Sequence, residues 1–191
     1  MKQANDIFLT LQRALKDNDK PITLHEPIFD EKEKTYLEEC IDSTFVSSVG
    51  KFVNDFESTL SSFVGSKYVI LTQSGTAALQ VALRSAGVTS NTEVLIPSLT
   101  FVATANAVCY LGATPHFVDS NLETLGMCPK SLKEYLVQIC KKTNDGTFNK
   151  FTGREIKAIV PMHTFGHSCL IEDLVEIASY YNLVLIEDAA E

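Results

Sequence analysis

The sequence predicts an α/β fold, with N-terminal helices followed by a mostly parallel sheet that carries helices on both faces. Three observations predict it. From Lys67 onward, short apolar runs alternate with helical stretches of roughly 11–14 residues, the rhythm of βαβ units. The apolar runs are nearly continuous rather than alternating, as expected for strands buried on both faces. Glycines stand at the helix ends, at Gly87 and Gly112.

In chain order, "QANDIFLTLQRALKD" places Ile7, Leu11, Ala14 and Leu15 on one helical face. Pro21 and Pro27 restrict their neighbours and make "PITLHEP" extended. Asp30 is placed to cap a helix running to about Ile41, and "SSVG" reads as a loop. "KFVNDFESTLSSFVG" spaces Phe52, Phe56, Leu60 and Phe63 three and four apart and stops at Gly65. Residues 1–66 therefore read as a helical and extended segment ahead of a sheet domain over 67–191. In that domain "KYVILT" is the first strand, and "TAALQVALRSAG" is the helix after Gly75. The strand "EVLIP", the helix "TFVATANAVCYLG" and the strand "PHFVD" follow. Pro129 opens the helix "PKSLKEYLVQICKK" near its first turn. "TNDGTFNKFTGRE" is polar and reads as a surface loop. "IKAIVPM" and "LVLIED" are strands flanking the helix "LIEDLVEIASYYN". The pattern does not give the strand order.

Composition excludes several functions. Lys+Arg is 16 against 24 Asp+Glu, a formal charge of −8, and no basic run is present. A nucleic-acid role, which needs a clustered basic face, is disfavoured. Cys40, Cys109, Cys128, Cys140 and Cys169 are scattered, odd in number and never spaced C-x-x-C. With no secretory signal in "MKQANDIFLTLQRAL", they read as reduced thiols of a cytoplasmic protein. No apolar run approaches the ~18–20 residues of a membrane span.

Four stretches are candidates for chemistry, the last of them weak. "ILTQSGTAALQVAL" sets Ser74, Gly75 and Thr76 between a strand and a helix, where first-turn N–H groups and the helix dipole favour an anion. The alternative is an N-cap serine and a turn glycine. The motif is neither G-x-G-x-x-G nor G-x-x-x-x-G-K-[ST], so nicotinamide and nucleoside-triphosphate readings lack their fingerprints. In "PSLTFVATANAV", Phe101 stands at a helix start, either as a ring to stack on a planar ligand or as a core side chain. In "LVLIEDAAE", Asp188 ends an apolar strand, so its carboxylate needs a partner. A protonated ring nitrogen would serve, and a helix N-cap role is the alternative. His163 and His167 in "PMHTFGH" are a weak metal pair, because Gly166 argues against a helix and no Glu follows the first His.

Taken together, "GKFVNDFESTLSSFVGSKYVILTQSGTAALQVAL", "EVLIPSLTFVATANAV", "GATPHFVDSNLETL", "AIVPMHTFGH" and "LVLIEDAAE" resemble the DegT/DnrJ/EryC1/StrS sugar aminotransferases, in their order and spacing. The resemblance runs from about Leu24 to Glu191. "LHEP", "VSSVGK" and "PMHTFGH" further resemble the subgroup that aminates UDP-linked 4-keto sugars for legionaminic-acid- or bacillosamine-type glycans. The family implies a pyridoxal 5′-phosphate (PLP) enzyme with part of the fold type I large domain, so the sheet is expected to be incomplete and the small C-terminal domain absent. It implies that Ser74, Gly75 and Thr76 meet the cofactor phosphate, Phe101 stacks on the ring, and Asp188 pairs with the ring nitrogen. Glu191 would lie near the phenolic oxygen, a departure from the Gln or His common there. His163 would stand on the substrate side. The family implies a nucleotide-sugar substrate, glutamate as amino donor and a homodimer. Its Schiff-base lysine is expected beyond Glu191, since Lys141, Lys142 and Lys157 match no catalytic position, so the chain alone is expected to be inactive. The alternative is a non-catalytic or split-enzyme module that pairs with a complementary C-terminal chain.

Overall fold

A computed structural model describes residues 2–15 and 26–191. Most of the "PITLHEP" stretch expected to be extended, residues 21–25, lies outside the described residues. The chain forms two compact units, Met1–Ser66 and Lys67–Glu191.

The first unit holds α1 (Lys2–Ala14), α2 (Glu31–Asp42) and α3 (Lys51–Val64). Asp30 caps α2 as expected. Its carboxylate accepts from the Lys32 N–H at 2.7 Å, and the Glu33 carboxylate accepts from the Asp30 N–H at 2.7 Å. This reciprocal pair satisfies two donors of the open first turn. α3 ends on Gly65 in the left-handed conformation. Tyr36 and Phe52 meet with ring centroids 5.0 Å apart. Yet no residue of α2 or α3 is buried, and Phe56 and Phe63 stay exposed.

The second unit holds α4 (Gly75–Ser85), β1 (Thr92–Pro97), α5 (Val102–Tyr110), β2 (Thr114–Val118), α6 (Pro129–Ile139), β3 (Cys140–Thr143), β4 (Gly146–Asn149), β5 (Glu155–Ile159), α7 (Ile171–Tyr181) and β6 (Val184–Leu185). The strands form one sheet in the order β2-β1-β5-β4-β3, with β6 also on β5. The β1–β2, β1–β5 and β5–β6 pairs are parallel, and the β3–β4 and β4–β5 pairs are antiparallel. β4 meets β5 at Glu155, and β6 meets it at Ala158 and Ile159, so the two share one edge of β5.

Side-chain alternation sorts the core into two clusters. Val94 and Ile96 of β1 pack with Leu79 and Leu83 of α4 and Ala107 and Val108 of α5. Leu95, between them, packs in a separate cluster with Leu132 and Leu136 of α6 and Leu174 of α7. Helices thus cover both faces of the mostly parallel sheet. The β1–β5 register shifts at Glu93/Val94, which pair with Ile156 and Ala158. Lys157 is the extra residue of a bulge, which places Ile156 and Ile159 in one cluster although they are three apart. Among the described residues no helix is long and apolar enough to cross a membrane.

Four local expectations are corrected. "KYVILT" forms no strand, and Tyr68 and Ile70 are 74% and 78% exposed. A β-prone run becomes a strand only beside a neighbour that completes its ladder, and the six strands pair among themselves. The polar stretch after α6 is not a plain loop, since β3 and β4 form a hairpin through Asn144 and Asp145. α6 ends at Ile139 because Cys140 is already extended and begins β3. The last strand is regular only at Val184 and Leu185, with Asp188 held by a single parallel bridge to Met162.

Candidate active site

The carboxyl ends of β1, β5 and β6 deliver three segments to one place, where open α/β sheets bind ligands. After β1 the chain turns into α5, with Phe101 at the N-cap. After β5 come Val160, Pro161 and Met162. Beyond β6 the chain stays on this segment, with the Ile186 N–H donating to the Ile159 carbonyl at 3.0 Å and the Asp188 N–H to that of Pro161 at 2.9 Å. The N-terminus of α4 completes the surround. A cleft of about 290 Å³ results, with Gly75, Thr76, Phe101, Met162, Asp188 and Glu191 in its walls. Larger grooves of about 530 and 650 Å³ lie along α2 and α3, but they gather no comparable set of polar groups with a buried carboxylate.

Five of the seven residues singled out from the sequence therefore line one cleft. Ser74 stands next to it as the N-cap of α4, with its Oγ accepting from the Ala77 N–H at 3.3 Å. Its hydroxyl oxygen thus performs the capping role. The N–H groups of Gly75 and Thr76 head the helix, where no helical carbonyl is available to them. A Cβ built on Gly75 would meet nothing within 4 Å. Packing therefore does not require the glycine.

Phe101 is not a core residue, as it is 66% exposed, and it borders the cleft. Its N–H donates to Met162 Sδ at 3.3 Å. Asp188 is the buried member, 5% exposed. Its Oδ2 accepts from the Thr104 hydroxyl at 2.6 Å, while Oδ1 has the Ala190 N–H at 3.4 Å, long for a hydrogen bond. The carboxylate that borders the cleft is satisfied on one oxygen and nearly unserved on the other.

Glu191 accepts from the Phe165 N–H through Oε2. Phe165 and Gly166 both have positive φ (55° and 77°), and a Cβ on Gly166 would come within 3.2 Å of the Glu191 carbonyl oxygen. The Glu191 carboxylate therefore has a backbone donor of its own. His163 is not in the cleft wall. Its Nδ1 accepts from the Cys169 N–H at 3.3 Å, which puts the ring proton of the neutral form on Nε2, 3.0 Å from Glu187 Oε2. Both ring nitrogens are thus engaged within the protein. Among the described residues no cluster of His, Cys, Asp or Glu is arranged to hold a metal. Lys141 and Lys142 lie in β3 and Lys157 in the β5 bulge, and among the described residues no lysine lines the cleft.

Sequence reasoning missed Thr100, Thr104 and Met162. Thr100 and Thr104 are one helical turn apart in "TFVATANAV", a spacing that puts them on one face. That spacing was the available signal, but the partner, Asp188, lies 84 residues away.

The chemistry of these walls suits a flat, anionic, ring-nitrogen cofactor. A helix N-terminus can hold a phosphate, an exposed aromatic can face a ring, and a buried carboxylate oxygen lacks a strong donor. Comparison with known proteins agrees. GDP-perosamine synthase of Escherichia coli O157:H7 is 38% identical over 172 residues, which cover 90% of this chain and 43% of that protein. The chain therefore spans less than half the length of this relative. The crystal structure of the aminotransferase from Psychrobacter cryohalolentis superposes with a TM-score of 0.74 at 29% identity, covering 89% of this chain and 39% of that one. NtdA from Bacillus subtilis, solved with bound cofactor PMP, gives a TM-score of 0.70 at 28% identity, covering 90% and 38%. The profile of the DegT/DnrJ/EryC1/StrS aminotransferase family, whose members use PLP, matches residues 27–191. That span contains every wall of the cleft, and the chain belongs to this family.

Proposed function

We propose that this chain is the cofactor-binding part of a PLP-dependent sugar-nucleotide aminotransferase. The observation that carries the proposal is Asp188, a buried carboxylate with one under-served oxygen, in the same cleft as the exposed Phe101 ring and the head of α4. The Gly75 and Thr76 N–H groups, with the Thr76 hydroxyl, hold the phosphate at the positive end of the helix dipole, and Ser74 fixes that helix end. Phe101 supports one face of the ring. Asp188 holds a proton on the ring nitrogen. When bound, the cofactor supplies a cationic ring that draws electrons from a carbon losing its proton. Glu191 stands on the phenolic-oxygen side, tethered by the Phe165 N–H. His163 orients Glu187 and the turn beyond β5 on the substrate side.

The proposed substrate is a nucleotide-linked 4-keto sugar, with glutamate as amino donor, in a homodimer of the whole protein. The relative from Escherichia coli is named for a GDP-linked sugar, so GDP- and UDP-linked substrates are both to be tried. Proton transfer at the reacting carbon needs a base, and among the described residues the cleft walls include no lysine. The chain by itself therefore binds cofactor without turning over substrate, and a lysine from further sequence or from a complementary chain completes the site.

Calorimetric titration with pyridoxamine 5′-phosphate tests the reading. Saturable binding by the wild type, abolished in Asp188→Ala, is the expected result. No binding up to about 1 mM would refute it. Amine transfer from glutamate to a GDP- or UDP-linked 4-keto sugar by the isolated chain would refute the incomplete-site part.

A further inference from the structure

The two oxygens of Asp188 are treated differently, and the proton inventory explains how. A hydroxyl has one proton to give. Thr104 gives its proton to Asp188 Oδ2 across 2.6 Å, so at its 2.8 Å contact with Thr100 Oγ1 it can only accept. Thr100 must then direct its own proton at Thr104. Met162 Sδ, 3.3 Å from Thr100 Oγ1, is left to receive the Phe101 N–H. The protons run in one direction, Thr100 to Thr104 to Asp188, and each donor is polarised by the one behind it. Thr104 is 1% exposed, so water does not substitute for it.

The geometry points to Thr104 as a positioning residue: we propose that it locks Oδ2 of Asp188 and thereby presents Oδ1 to the ring nitrogen of a pyridine-type cofactor. The inference rests on the cofactor reading above and adds a residue to it. An aspartate carboxylate has a broad, nearly two-fold torsion about its last bond, so without an anchor either oxygen could swing to the cleft. The short bond to α5 removes that freedom. The same cluster sets the ring face, because Thr100 directly precedes Phe101 and Met162 sulfur takes the Phe101 N–H. Ring edge and ring face would therefore be held from one place, the start of α5.

A purely packing role for Thr104 predicts loss of stability and nothing more. A positioning role predicts a change at the ring nitrogen itself. Without the Thr104 donor, Asp188 draws the shared proton away from the ring and can rotate off it, and both effects lower the protonated fraction of the ring.

The test uses the 191-residue chain with pyridoxamine 5′-phosphate labelled with ¹⁵N in the ring, at saturation, with thermal unfolding recorded alongside. In the wild type the ring ¹⁵N shift is expected at the pyridinium position and to stay there above the pH at which the free cofactor loses that proton. In Thr104→Val, which keeps the size and removes the hydroxyl, the shift should move toward neutral pyridine and the affinity should fall about tenfold. Thr104→Ser should restore both. Thr100→Val, which removes only the polarising donor, should move the shift in the same direction by less, and it carries the test if Thr104→Val does not fold. A pyridinium shift unchanged in both valine variants overturns the inference while leaving the cofactor reading intact. Failure of the wild type to bind overturns the cofactor reading and this inference with it.

Discussion

Replacing Glu93 with Ala should cost the α/β unit about 3–5 kcal/mol, the sum of an orphaned buried amide, lost hydrogen bonds to a carboxylate and a cavity. Glu93 is 1% exposed near the start of β1, at the opposite end of the strand from the cleft. Its Oε2 accepts from Asn149 Nδ2 at 2.8 Å and meets His116 Nε2 at 3.0 Å, and its Oε1 accepts from the Thr152 hydroxyl at 2.6 Å. His116 Nδ1 in turn lies 3.0 Å from the Tyr135 hydroxyl. Truncation strands these donors unequally. Thr152 is exposed and regains water, His116 regains part of its hydration, and Asn149, 3% exposed, is left with a buried NH₂ group. That orphan alone costs about 1–3 kcal/mol, and the lost charge-assisted bonds and the cavity supply the rest. With a urea slope near 2 kcal/mol/M, the midpoint should fall by about 1.5–2.5 M. Urea titration followed by far-ultraviolet circular dichroism measures this. Glu93→Gln, which keeps the shape and one acceptor oxygen, should lose roughly half as much. A midpoint for Glu93→Ala within about 0.5 M of wild type, hence near 1 kcal/mol, would refute the reasoning and mean that water already serves these groups.

Three further outcomes are expected. Ser74→Ala removes the cap bond to Ala77 and should cost about 1 kcal/mol in the same titration, with Ser74→Asp restoring it. Iodoacetamide at neutral pH, followed by peptide mass spectrometry, should label Cys128 before Cys140 and Cys169. Burial raises the Cys128 thiol, but hydrogen bonds from the Ser131 hydroxyl and the Ser131 and Lys130 N–H groups outweigh it and bring the pKa below its ordinary value. Burial and the nearby Glu93 push Cys140 up to about 11, so its thiolate should appear only as pH approaches that value; burial and then Glu187 raise Cys169. Gly166→Ala places a Cβ at positive φ against the Glu191 carbonyl and should cost about 1–2 kcal/mol, read as a lowered melting temperature.

What the sequence made legible was local. The Asp30 cap, the Gly65 stop and the Pro129 start each depend on residues within one turn of one another, and each appears where the pattern places it. The errors fell where a distant neighbour decides. "KYVILT" has strand propensity but no place among the paired strands. "TNDGTFN" looked solvated because it is polar, yet Thr147 and Asn149 are buried, Thr147 donating to the Tyr181 carbonyl and Asn149 to Glu93. A strand buried through hydrogen bonds leaves no apolar alternation to read. The turn residues Asn144 and Asp145 and the glycine after them were its visible hairpin signal. The cleft followed the same division: Phe101 and Asp188 stood out at strand and helix ends, while Thr104 became visible only when α5 met Asp188.

Glu93 and Asp188 show why the sequence could not rank its own carboxylates. "TEVLIP" and "LVLIED" each set an acid beside an apolar run, and both acids end up nearly inaccessible. Burial of a carboxylate is costly unless its oxygens are served, so the number of donors separates structure from function. Glu93 has two donors and a histidine within 3.0 Å, at least one on each oxygen, and it does not line the cleft. Asp188 has one short donor on Oδ2 and a marginal one on Oδ1, beside a cleft. A fold that serves both oxygens of one buried acid at short range, but only one oxygen of the other, leaves its weakest-served carboxylate oxygen beside a cleft, open to a donor from ligand or water. That deficit, more than the burial or the position at a strand end, gives Asp188 its place in the proposed chemistry.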